Sequence, residues 1–169
     1  MKGMKKYEHL FVNCTYKTMD VSKDYNPDIV ADIHDIPIES NTVDAIICRS
    51  VLEHVRSPER ALQEMFWILK PGGRLFVQVP SIYPYHARTG NGAYPDYWRF
   101  FESTLRELFQ SFSHIEFARH GGWFSSMAFF LPGQANLGKM WQSIASILDT
   151  VCKTDKRTTT PILYCFCKK

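Results

Sequence analysis

Residues 43–80 of this 169-residue chain read as strand, helix, strand, and that order constrains everything around it. Val43, Ala45, Ile46, Ile47 and Cys48 form a short, mostly apolar run behind a polar turn (Glu39, Ser40, Asn41, Thr42). That is the pattern of a buried parallel strand. Ser57 and Pro58 open a helix, because serine caps free amides and proline loses nothing at a first helical position. Ala61, Leu62, Met65, Phe66 and Leu69 recur at helical spacing and give that helix one apolar face. Lys70, Pro71, Gly72 and Gly73 stop it, and residues 74–80 (RLFVQVP) read as a second strand ended by proline. Two strands joined by a crossover helix make a right-handed βαβ unit, the building block of a doubly wound sheet.

The flanks extend this unit into an α/β fold of one domain over residues 1–169, with no linker, repeat or low-complexity segment. Residues 15–21 read as a strand that ends in Asp20, and residues 28–33 as another that ends at Asp32 and Ile33. Only six residues separate them, so they must be short or joined by an irregular loop, since a parallel crossover normally takes about a dozen. Beyond Pro80 lies a loop rich in aromatics, including Tyr83, Tyr85, Tyr94, Tyr97, Trp98 and Phe100. Leu105, Leu108, Phe109 and Phe112 predict an amphipathic helix, and residues 114–119 a strand. Residues 121–133 form an apolar, glycine-flanked connection with the makings of a lid. Leu137, Met140, Trp141, Ile144, Leu148 and Val151 predict a strongly amphipathic helix, and residues 162–167 a last strand.

The D-A-I-I-C run at Asp44, the L-E-H-V segment at Leu52 and the L-K-P-G-G-R-L turn at Leu69 together resemble class I S-adenosylmethionine-dependent methyltransferases, most closely the small-molecule type 11 family. The resemblance runs from about Tyr7 to about Phe124. It implies a doubly wound, mostly parallel Rossmann-like methyltransferase fold whose last strand is antiparallel. It also implies S-adenosylmethionine as cofactor and a small-molecule or carbohydrate-type acceptor. The helix tail at residues 5–11 fits the family pattern, but the first strand and its glycine-rich turn are missing. The only glycine before Gly72 is Gly3, and Gly90-Asn91-Gly92 lies in a loop that opens no helix, so it is no cofactor cradle.

Ligands of open α/β sheets bind beyond the carboxyl ends of the strands. There the resemblance gives Asp20, followed by Val21, a ribose-binding role, and Asp32 with Ile33 an adenine-binding one. A turn aspartate is the competing reading at both positions. Arg49 and Ser50 follow the central strand beside the expected methionine end of the cofactor. His54 is the candidate catalytic base, being titratable near neutral pH, with a structural histidine as the alternative. Tyr83, His86, Tyr94, Tyr97 and Arg99 are the candidate acceptor contacts, Arg99 for a carboxylate or phosphate.

A chain 45% hydrophobic and 22% charged is ordinary for a soluble globular protein, and a net charge of +3 gives no basic stripe for nucleic acid. The terminal lysines, Lys168 and Lys169 included, read as solvated ends. No apolar run approaches the ~20 residues of a membrane span. Five cysteines without metal-ligand spacing suggest reduced thiols, a cytoplasmic protein and no metal site; Cys165 and Cys167 read as core. The missing first strand would leave a slot of about 9.6 Å in a sheet whose neighbours pair at about 4.8 Å. Closure of the sheet, a strand from a second copy (a homodimer through that edge) or an upstream segment would fill it. The expectation is therefore a truncated or decayed methyltransferase, with a cofactor-blind interaction module as the alternative.

Overall fold

The computed structural model describes residues 12–90, 92–156 and 159–169; the helix tail expected at residues 5–11 lies outside them. Two sheets are present among the described residues. A small one pairs β1 (Met19–Asp20) with β2 (Ile29–Val30) in parallel. The larger has the order β3-β4-β6-β5, formed by Val43–Arg49, Leu69–Pro80, Ile162–Lys168 and His114–His120. β3 and β4 run parallel, while β6 enters antiparallel between β4 and β5, as the sequence led us to expect.

The first two strands are shorter than the sequence reading. Each is two residues long, and a 3-10 turn at Lys23–Tyr25 replaces a crossover helix. Asn26 ends that turn at φ 49°, a left-handed conformation that asparagine tolerates better than most residues. Asp28 secures the pair by accepting from the Thr18 backbone N–H (2.6 Å) and hydroxyl (2.8 Å).

The crossover helix α1 (Pro58–Ile68) starts on Ser57, whose hydroxyl accepts from the Arg60 N–H. Ala61, Leu62, Met65 and Ile68 are buried, joining Leu75, Val77, Val79, Leu105, Phe109 and Leu163 in one core. Fully burying each such large aliphatic is worth about 2 kcal/mol. The Lys-Pro-Gly-Gly turn does not separate helix from strand as expected. β4 pairs already at Leu69 with Val43, and residues 70–73 bulge out before pairing resumes between Arg74 and Ala45. Gly73 is required there, since a Cβ would stand 2.8 Å from the Lys70 carbonyl oxygen. Lys169 is likewise not a solvated end. Its Nζ donates to the carbonyls of Phe66 (2.7 Å) and Leu69 (2.7 Å), satisfying acceptors at the C-terminus of α1.

The remaining helices are α2 (Glu102–Leu108), α3 (Trp123–Ala128) and α4 (Gln134–Cys152). α3 lies inside the connection with the makings of a lid. α4 forms where expected but presents the unexpected face. Ala145 and Asp149 are buried, whereas Leu137, Met140, Ile144, Leu148 and Val151 are exposed. The cause is Asp149, whose carboxylate accepts from the backbone N–H groups of Gly122 (2.8 Å), Phe124 (2.9 Å) and Ser125 (3.0 Å), and from the Thr154 hydroxyl. A buried charge that satisfies free amides at the start of α3 fixes the rotation of α4 more strongly than its apolar stripe does. Cys165 and Cys167 are core residues on one face of β6, their sulfurs 3.3 Å apart. No helix among the described residues is long and apolar enough to cross a membrane.

Candidate functional site

β3 pairs with β4 on one edge only; on the other edge no strand of the described residues joins it. Between that edge and the β1–β2 pair runs a groove of about 2400 Å³, larger than an ordinary small-molecule site. Among the described residues, the slot expected between these strands is thus an open groove and not a closed sheet. Asp20, Val21, Asp32, Ile33, Arg49, Ser50, His54, Tyr83, His86, Tyr94 and Tyr97 all line it. Of the residues singled out from the sequence, only Arg99 does not.

The strand ends place their residues through local backbone geometry. Asp20 closes β1 and takes the Ser22 N–H on Oδ1 at 2.8 Å. Asp32 follows β2, and its Oδ1 accepts from the His34 N–H (2.9 Å) with the His34 Nδ1 2.6 Å away. The His34 hydrogen bond outweighs desolvation and holds the Asp32 carboxyl below the usual range, so it is ionised at neutral pH. After Arg49 the chain leaves β3 through Ser50 at φ 51°, while the Ser50 N–H still donates to the Gln78 carbonyl at 3.0 Å. A left-handed serine held at the end of the edge strand β3 is the kind of strain found at binding sites.

The far end of the groove is built by the 3-10 turn at Leu52–His54 and the aromatic loop packed on it. Tyr97 N–H donates to the Glu53 carbonyl (2.8 Å), and the Trp98 indole donates to the Val55 carbonyl (2.8 Å). Tyr25 spans the mouth by donating to the Gly92 carbonyl (3.0 Å) and accepting from Arg88 (3.0 Å). This ties the β1–β2 turn to the loop. Phe129, just after α3, packs against Tyr83 in a tilted arrangement with ring centres 4.6 Å apart and joins the groove wall.

Arg99 is committed to the protein itself. It forks onto Asp96 (2.6 and 2.7 Å) and donates to the carbonyls of Tyr83 (2.8 Å), Pro84 (2.7 Å) and Trp98 (2.7 Å). With every arm of its guanidinium so occupied, it serves the loop and not a ligand. Those bonds hold the Asp96 carboxyl down at about 2.

Sequence reading missed Glu53, although it stands inside the L-E-H-V segment. Its side chain is 1% exposed, and burial pushes its carboxyl up to about 7, with the Asp96 charge adding to the rise. Oε2 has no hydrogen-bond partner among the described residues. Oε1 stands 3.8 Å from His54 Nε2 and 3.9 Å from His86 Nε2. His54 Nδ1 lies 2.5 Å from the Pro95 carbonyl, which can only accept, so Nδ1 carries the proton and Nε2 the lone pair. Burial lowers the His54 pKa, keeping that lone pair free at neutral pH.

A family model described as a methyltransferase domain, of type 11, matches residues 6–77, a little under half of the chain. An uncharacterized 37.1 kDa protein in transposon TN4556 of Streptomyces fradiae is 41% identical over 52 residues, which is 31% of this chain and 15% of that protein. A SAM-dependent methyltransferase structure from Archaeoglobus fulgidus superposes with a TM-score of 0.54 at 10% identity, covering 89% of this chain and 74% of that one. An S-adenosylmethionine-dependent methyltransferase from Mesorhizobium loti gives 0.51 at 14% identity, covering 89% and 78%. The class I methyltransferase resemblance and the Rossmann-like methyltransferase fold expected from the sequence are both borne out. The chain spans only a small part of the curated relative that it matches.

Proposed function

We propose that this chain is a methyltransferase that uses S-adenosylmethionine and acts on a small-molecule or carbohydrate-type acceptor. The observation that carries this reading is that one groove collects the acid ending β1, the acid following β2, the kink after β3, and His54. In this reading Asp20 accepts hydrogen bonds from a ribose diol, and Asp32 accepts from the adenine amino group with Ile33 against the ring. Arg49 and Ser50 border the methionine end, where the chain offers no glycine-rich turn. The cofactor supplies a methyl group on a sulfonium centre, open to in-line attack. What the protein adds is mainly positioning and removal of water, the task of Tyr83, Tyr94, Tyr97 and Phe129 around the acceptor. His54 offers Nε2 to the proton of a hydroxyl or ammonium acceptor, and Pro95 fixes the tautomer that makes this possible.

Isothermal titration of S-adenosylmethionine and S-adenosylhomocysteine into this polypeptide tests the reading. Micromolar binding is expected, weakened about tenfold in Asp20→Ala and in Asp32→Ala, the equivalent of about 1.4 kcal/mol each. No binding at millimolar ligand would overturn it and favour the interaction module, for which the unpaired edge of β3 is the supporting feature.

A further inference from the structure

Glu53, His54 and His86 bring one ligand atom each to within 4.8 Å of one another, at the wall of the groove. Three features separate this cluster from a chance meeting of polar side chains. The first is tautomer control. His54 Nδ1–H is spent on the Pro95 carbonyl, and His86 Nδ1 faces two acceptors, the Pro84 carbonyl and Asp96 Oδ2, each at 3.2 Å. Arg99 approaches that nitrogen only at 3.5 Å. Both rings therefore turn a bare Nε2 toward Glu53. An outer carbonyl or carboxylate that fixes the ring and leaves the other nitrogen free is the arrangement found behind metal-ligating histidines.

The second feature is the carboxylate. Glu53 is buried with Oε2 unpartnered, and its Oε1 is too far from either Nε2 for a hydrogen bond. Buried carboxylates are otherwise paired or bound to metal. The third is access. Three protein ligands on a groove wall leave further positions open toward Tyr83 and Tyr94, which suits a site that exchanges water for a ligand oxygen.

We propose that Glu53 Oε, His54 Nε2 and His86 Nε2 form a binding site for a first-row divalent cation of the zinc–cobalt type. Two imidazoles and one carboxylate suit that class, whereas magnesium and calcium prefer all-oxygen shells. Tetrahedral ligand atoms around zinc stand about 3.3 Å apart, so the separations must contract by about 0.5 Å at Glu53 Oε1 and by at most about 1.5 Å elsewhere, within reach of side-chain rotation. The proposal deepens the methyltransferase reading by assigning the acceptor end of the groove to an oxygen ligand, hydroxyl or carboxylate, and it replaces the general-base role of His54, whose single free lone pair, on Nε2, the cation would hold. Metal binding itself needs no cofactor and is measured without it.

Cobalt(II) titrated into the full chain, without S-adenosylmethionine, should give visible ligand-field bands saturating at one equivalent, and zinc(II) should displace them. Glu53→Gln and His86→Gln, each first checked for folding by circular dichroism, should bind cobalt at least tenfold more weakly. Replacing the exposed thiols (Cys14→Ser with Cys152→Ser) should leave the bands unchanged. Absence of bands at millimolar cobalt overturns the proposal, as do bands that survive in either folded variant or vanish with the thiols. Cobalt binding together with failed cofactor titration would uphold this site while sinking the methyltransferase reading.

Discussion

Replacing Arg99 by lysine separates a residue that shapes the site from one that touches ligand. The guanidinium holds the fully buried Asp96 carboxylate bidentately and three backbone carbonyls besides. A lysine ammonium, with three donors and no fork, can keep about two of these five bonds, and on Asp96 Oδ2 it would leave only the His86 N–H (2.7 Å) as donor. Breaking one side of a buried, hydrogen-bonded ion pair costs about 3–5 kcal/mol. Lysine retains part of the attraction, so we expect roughly 2–4 kcal/mol by urea denaturation followed by circular dichroism. The acid limb gives an independent reading. The Asp96 pKa is depressed from 3.8 to about 2 in the folded protein, so its contribution is present above pH 3.8 and lost as pH falls through about 2. That contribution is roughly 2 kcal/mol, and Arg99→Lys should shrink it. A variant within 1 kcal/mol of the parent, with an unchanged acid limb and altered ligand affinity, would refute the reasoning and return Arg99 to ligand binding.

Asp149→Asn should cost about 2–4 kcal/mol in the same assay, because an amide turns an N–H₂ group toward donors that a buried carboxylate satisfied. Burial pushes the Asp149 pKa up, but the hydrogen bonds from Ser125, Thr154 and Gly122 outweigh it and hold it below the usual 3.8. The parent should therefore lose stability as pH falls below that value, and the variant should lose less. Gly73→Ala should cost about 1–3 kcal/mol and lower the melting temperature by several degrees, since its Cβ would press on two backbone carbonyls, of Lys70 at 2.8 Å and Asp44 at 3.3 Å. An unchanged melt would mean that the bulge in β4 relaxes freely.

What the sequence made legible was what short-range rules control. The βαβ core follows from two apolar runs and a capped helix within residues 43–80, and the antiparallel last strand from the family pattern. The strand-end acids follow from where the runs stop. What it hid depends on contacts between distant residues. Glu53 and His86 meet only because Arg99 and Asp96 fold the aromatic loop back, and no periodicity encodes that. The same holds for α4. Its apolar stripe predicts a buried face, but Asp149 reaches residues some 25 positions away and turns the helix the other way.

β3 shows why this groove is the right place to look for function. The run Val43, Ala45, Ile46, Ile47, Cys48 has the composition of a strand buried on both faces. In the fold, however, Ile47 is 43% exposed and Ala45 is also open, on an element with one unpaired edge. A strand that sequence equips for more burial than the described residues supply is a local inconsistency, and such inconsistencies concentrate at functional sites. It also predicts where added mass should act. Whatever occupies the groove has to cover Ile47 and Ala45, so a ligand that binds there should protect the amides of β3 from hydrogen exchange more than those of β5, at the opposite end of the sheet.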